Sequence, residues 1–177
     1  MKTSLAGRTL LAAVASVAIA TSSAKAQEGG IAVGAEAPSA RVMTLDGKAT
    51  ELSSFYDGKP VVLEFWATWC PLCKQLEPTM KAARERHASD VNFVGVGVNP
   101  NQTVDTQRAF VEKQHLAGKY VFDAEGAAVK AFSVPHTSYV VVLDRNRRVV
   151  YTGVGGTQDI EAAIAKAGDG SMKKAGM

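Results

Sequence analysis

Residues 60–68 read PVVLEFWAT, and WCPLC follows at once. The run is apolar, β-branched and aromatic, with little alternation, which is the composition of a strand covered on both faces. Such a strand needs helices on either side of its sheet, and that restricts the chain to layered α/β folds. Glu64 stands in the middle of the run, where an acid is out of place. Residues 71–88 have helical composition, with Leu72, Leu76, Met80 and Ala83 forming the expected apolar face. Pro71 suits a first helical turn, and Pro78 predicts a kink within the helix. The joint between strand and helix therefore falls at Cys70, with Cys73 one turn further on.

The rest of the chain extends this pattern. Residues 40–52 predict a hairpin around Asp46-Gly47, a type I′ turn pair. Residues 91–99 are a second buried strand, 103–115 an amphipathic helix carrying Val104, Phe110 and Val111, 119–123 a short strand and 124–131 a short helix. Residues 137–144 and 147–155 predict an antiparallel hairpin around Arg145-Asn146, and 159–167 a last helix. The order predicts one α/β domain over residues 38–167, with a mixed central sheet, helices on both faces and an antiparallel end. A Gly/Ala-rich flexible lead-in, 27–37, precedes it, and a polar disordered tail, 168–177, follows.

The first 26 residues read as an export signal. Lys2 and Arg8 supply a basic start, residues 10–20 an apolar stretch too short for a comfortable membrane span, and Ala24-Lys25-Ala26 a small-residue cleavage site. An uncleaved signal would instead leave a membrane-anchored form. Cleavage removes three of the 20 basic residues and none of the 17 acids, so the remaining chain is formally neutral. Neutrality, with no basic cluster interleaved with aromatics, argues against nucleic-acid binding. An oxidising, periplasmic setting lets paired cysteines persist as a disulfide.

Cys70 and Cys73 are the only cysteines. A staple across two intervening residues constrains little of the unfolded chain, so stability is a poor reason for the pair. A structural zinc site needs about four ligands, and beyond these two thiols the chain offers only three His as soft donors. A thiol at a helix N-terminus, by contrast, is favoured as its reactive thiolate. Cys70 is expected to be the exposed attacker, and Cys73, one turn deeper, the buried group that resolves the mixed disulfide.

The stretch VVLEFWATWCPLCKQLEP resembles the active-site segment of the thioredoxin superfamily, and FWATWC most resembles its exported TlpA-like, redoxin-type branch. The likeness covers nearly all of the chain after the signal, with an N-terminal hairpin extension, a central insertion over residues 91–135 and a closing hairpin. It implies a thioredoxin-like fold and a protein disulfide oxidoreductase with no cofactor and no metal. It also implies a cis-proline at Val134-Pro135 that presents Val134 to an extended substrate peptide. Glu64 falls where many thioredoxins hold a buried acid able to exchange protons with the second cysteine, Cys73. Trp69 is expected to shield the disulfide face. His136 departs from the family, which commonly has Thr after that proline, and an imidazole there could approach Cys70.

The reading that follows is an exported monomer that reduces disulfides of other exported proteins, for example in cytochrome c maturation. A membrane electron donor would re-reduce it. A copper-binding or copper-delivery module using Cys70, Cys73 and His136 is the alternative, because thiolates and imidazole suit Cu(I). A peroxidase is a lesser one, disfavoured by a Thr68 two residues, not three, before Cys70.

Overall fold

The computed structural model describes residues 29–172. Residues 1–26, read as a signal, residues 27–28 of the lead-in and residues 173–177 of the tail lie outside the described residues. The elements run β1 (Arg41–Thr44), β2 (Ala49–Glu51), a 3-10 turn (Leu52–Phe55), β3 (Val61–Trp66), α1 (Pro71–His87), β4 (Asn92–Val98) and α2 (Val104–Lys113). They continue with β5 (Lys119–Asp123), α3 (Ala127–Ala131), β6 (Tyr139–Leu143), β7 (Val149–Val154) and α4 (Ile160–Met172). The strands form one mixed sheet in the order β2-β1-β5-β4-β3-β6-β7.

β3 is central and buried along its whole length. It pairs parallel with β4 and antiparallel with β6, so this apolar run has a hydrogen-bonded neighbour on each side. Val62 packs with Leu76, Met80 and Ala83 of α1 and with Ile160, Ala163 and Ile164 of α4. Leu63 and Phe65 face the other way, into a cluster with Leu52, Ala128, Phe132 and Val141. Each such side chain contributes about 1.5–3 kcal/mol of burial, and the alternation places Glu64 on the α1 face.

Three local expectations are corrected. The β1–β2 hairpin does not close on a type I′ turn. Only Gly47, at φ 86°, is left-handed there, its N–H donating to the Thr44 carbonyl, while the Thr44 N–H donates to Lys48 O. One extra loop residue, Leu45, makes this a turn followed by a glycine bulge. The lead-in is not loose over residues 29–37. Gly30 N–H donates to Ser133 O, Gly34 N–H to Val149 O and Ala37 N–H to Arg147 O, while Ile31 N–H donates to the Tyr139 hydroxyl. Small residues let this segment lie flat: a Cβ on Gly30 would collide with the Tyr139 hydroxyl. Finally, α4 runs on through residues 168–172, placed in the tail by composition, because docked Ile160, Ala163, Ile164 and Ala167 carry the helix past its glycines.

Candidate active site

β3 ends at Trp66, and four residues later Cys70 is the N-cap of α1. Cys70 N–H donates to Ala67 O, 3.1 Å, which closes the turn. Two side-chain contacts tie this turn to the loop after β4: Thr68 N–H donates to Gln102 Oε1, 3.0 Å, and Trp69 Nε1 donates to Pro100 O, 2.9 Å. Cys70 and Cys73 form a disulfide. The Cys70 sulfur also accepts the Cys73 N–H at 3.0 Å, satisfying one of the orphan donors of the first helical turn.

The exposed attacker and buried resolver are not what the oxidised form presents. Cys70 is 1% exposed and Cys73 6%. The reason is the capping contact, which turns the Cys70 sulfur back over the helix and into the core cluster. The exposed surface belongs to its neighbours, Trp69 at 44% and Leu72 at 42%. Leu72 is thus not part of the apolar face of α1, whose buried residues are Cys73, Leu76, Met80, Ala83 and Arg84. The helix runs through Pro78, which sits on its exposed side.

Behind the disulfide, a cavity of about 170 Å³ opens between α1 and α2. Cys73, Glu64, Trp66, Glu77, Phe110 and Tyr120 are among the residues that line it. The structure therefore places Glu64 and Cys73 on one cavity. Glu64 is 6% exposed, and among the described residues no donor hydrogen-bonds its carboxyl. Burial, helped by the nearby Glu77 carboxylate and opposed by Arg84, pushes its pKa up to about 8. Gly95, paired with Glu64 across the β3–β4 ladder, makes room for this site, since a Cβ there would strike the Tyr120 ring and the Trp66 indole. Burial also pushes the Tyr120 hydroxyl well above its ordinary range.

The loop from Ser133 to Ser138 differs from expectation. Among the described residues no peptide bond is cis, so Val134–Pro135 is trans. The chain reverses instead through left-handed Ser133, φ 50°, and Ser138, φ 62°, with Ser138 N–H donating to Phe65 O at 2.8 Å. Val134 N–H already donates to Val129 O, 3.0 Å, so a peptide pairing beside Val134 has its carbonyl to use. Pro135 packs against Gly29 of the lead-in. His136 is exposed and lines a groove of about 190 Å³ with Trp69, Pro100, Val134 and Thr137, a groove that does not include Cys70. Cys70, Cys73 and His136 do not come together as a ligand set, and no group of three or more His, Cys, Asp or Glu among the described residues does.

Two residues of this site were not read from the sequence. Glu77 and Arg84 form an ion pair on the inward side of α1, below Cys73. Their signal is spacing: Cys73, Glu77, Met80 and Arg84 fall at i, i+4, i+7 and i+11, one face of a helix.

Comparisons with known proteins agree with this geometry. A family model described as Redoxin matches residues 32–167. The chain is 33% identical over 118 residues to the thioredoxin-like protein YneN of Bacillus subtilis, covering 65% of this chain and 68% of YneN. It is 31% identical over 136 residues to the thiol-disulfide oxidoreductase ResA of Geobacillus kaustophilus, covering 74% and 75%. A solved thiol:disulfide interchange protein of the thioredoxin family, from Chlorobium tepidum, superposes with a TM-score of 0.64 at 26% identity, covering 77% of this chain and 98% of that one. ResA and the Chlorobium protein are named for thiol–disulfide chemistry, and the Chlorobium structure shares this chain's fold. The chain belongs to the Redoxin family and is a thioredoxin-like thiol–disulfide oxidoreductase.

Proposed function

We propose that this chain is exported and reduces disulfides of other exported proteins, with Cys70 attacking and Cys73 resolving. The observation that carries the reading is the Cys70 sulfur at the N-terminus of α1, accepting the Cys73 N–H at 3.0 Å. In the reduced pair that acceptor position, together with the helix dipole, favours a thiolate on Cys70. The thiolate attacks one sulfur of the substrate disulfide, forming a Cys70–substrate bond and releasing one substrate thiolate, which takes a proton from solvent. Cys73 then loses its proton to Glu64, in the fraction of molecules whose buried carboxyl is ionised, by way of the shared cavity, which at about 170 Å³ has room for water. Its thiolate attacks the Cys70 sulfur, the second substrate thiolate leaves and is protonated, and the Cys70–Cys73 disulfide is restored. Two electrons pass from the pair to the substrate, and dithiol chemistry on the membrane side returns them.

Trp69, Val134 and His136 line the adjacent groove, which supports their assignment to substrate contact, and Pro135 is assigned with them as the residue between Val134 and His136. Export rests on the pattern of residues 1–26 and places the reaction in the periplasm. Cysteine pairs of c-type cytochromes awaiting haem are one substrate class that fits.

Trapping tests the assignment of roles. Reduced Cys73→Ser, mixed with a disulfide-bearing protein, is expected to accumulate a mixed disulfide that survives non-reducing electrophoresis. Cys70→Ser is expected to accumulate essentially none. Equal trapping by both variants, or trapping only by Cys70→Ser, sinks the assignment.

A further inference from the structure

Glu64 and Arg84 both line a second, narrow crevice too small to admit water, with Met80, Phe93, Gly95 and Tyr120 around them. Arg84 is 8% exposed and pairs with Glu77, which lines the upper cavity and is 29% exposed. Among the described residues the buried Arg84 Nε has no acceptor. The Glu64 carboxyl, as described, has no donor. A buried cationic donor without an acceptor is costly, as is a buried carboxylate without a donor. Here the two deficits meet across one crevice, and ionised Glu64 is the group that would remedy both.

We propose that Glu77 and Arg84 are positioning residues that set how readily Glu64 releases and retakes its proton, Arg84 being shared between the two carboxylates. Protonated Glu64 leaves Arg84 to Glu77. Ionised Glu64 draws on the unused donor of Arg84, so the pair acts as a reservoir of positive charge for a proton that must come and go. The inference rests on Glu64 exchanging its proton with Cys73, and it adds the groups that govern the exchange. The charged and titratable groups facing Glu64 are Cys73, Lys74, Glu77 and Arg84 from α1 and Lys119 and Tyr120 from β5, while α2 contributes the apolar Phe110 and its C-cap is the neutral Gln114. Lys74 and Lys119 are exposed and screened by water, so the buried Arg84 and half-buried Glu77 dominate.

The direction of Glu64's shift agrees, raised by Glu77 and lowered by Arg84. Removing each partner should therefore move Glu64 in opposite senses, which loss of packing alone does not do. The test is a carboxyl carbon NMR titration of Glu64 in the oxidised protein, where the cysteines do not titrate, with Glu64→Gln assigning the signal. Glu77→Gln is expected to lower the Glu64 midpoint by about one pH unit, Arg84→Met to raise it by about one unit, and Arg84→Lys to keep it near that of the parent. Glu77 is half-buried, so its variant remains informative if Arg84→Met does not fold. Midpoints that stay put in Glu77→Gln, or that move the same way in both variants, overturn the proposal. The pH profile of the Cys73 resolving step separates the two readings. A midpoint that moves without the profile following retires the Glu64–Cys73 exchange and leaves the control of Glu64 by its pair standing.

Discussion

Glu64→Gln is expected to stabilise this protein by about 3 kcal/mol at pH 7 while slowing the resolving step roughly 10- to 100-fold. Both effects come from one buried carboxyl, with a folded pKa of about 8 against an ordinary 4.5. Below pH 4.5 both folded and unfolded chains hold the proton, and nothing is lost. Between pH 4.5 and about 8 the unfolded chain gives up the proton while the folded chain keeps it, so stability falls by about 1.4 kcal/mol per pH unit. Above about pH 8 both forms are ionised and the loss levels off. A neutral Gln removes this dependence. Denaturant unfolding of the oxidised protein from pH 5 to pH 9 reads it directly: a sloping stability for the parent and a flatter one for Glu64→Gln. Equal slopes would show that the acid is not held protonated by the fold.

Gly97→Ala is expected to destabilise the chain by about 3 kcal/mol. Gly97 is next to the last residue of β4, and a Cβ there would overlap the Gln107 side-chain amide from α2. Gln107 is fully buried and donates to Val121 O at 3.2 Å, so it has little space to retreat into. Because β4 leads into the loop that holds Trp69 and Thr68, the same strain reaches the active-site turn. The check is a double-mutant cycle. Gly97→Ala with Gln107→Ala should be less destabilised than the two single changes summed, because the second removes what the first collides with. Additive losses would mean that the glycine is there for another reason.

The strand–helix joint was legible because it rests on local composition. An apolar run buried on both faces and a Pro-led helix can be read from residues 60–88 alone. Glu64 was legible as an anomaly, since an acid in such a run needs a reason. The state of Cys70 was not, because its burial depends on which way its sulfur turns as the N-cap. Spacing does not set that rotation. Family resemblance predicts a cis Val134–Pro135 bond, and the structure reverses the chain through Ser133 and Ser138 instead. The lead-in misled through composition. Gly and Ala predict freedom when considered alone, yet here they let the backbone lie against the Ser133, Val149 and Arg147 carbonyls. Glu77 and Arg84 share a helical face with Cys73, but only the sheet beneath α1 brings that face to Glu64.

The reduction potential of the Cys70–Cys73 pair, equilibrated against glutathione or dithiothreitol mixtures, tests the reductase reading most directly. A carboxyl on the cavity beside Cys73 and an uncharged Pro71-Leu72 between the cysteines give little extra stabilisation to the thiolate form. A low potential, toward thioredoxin's roughly −270 mV, is the predicted result. A value toward the roughly −120 mV of a strong periplasmic oxidant would contradict the account and make this chain a donor of disulfides.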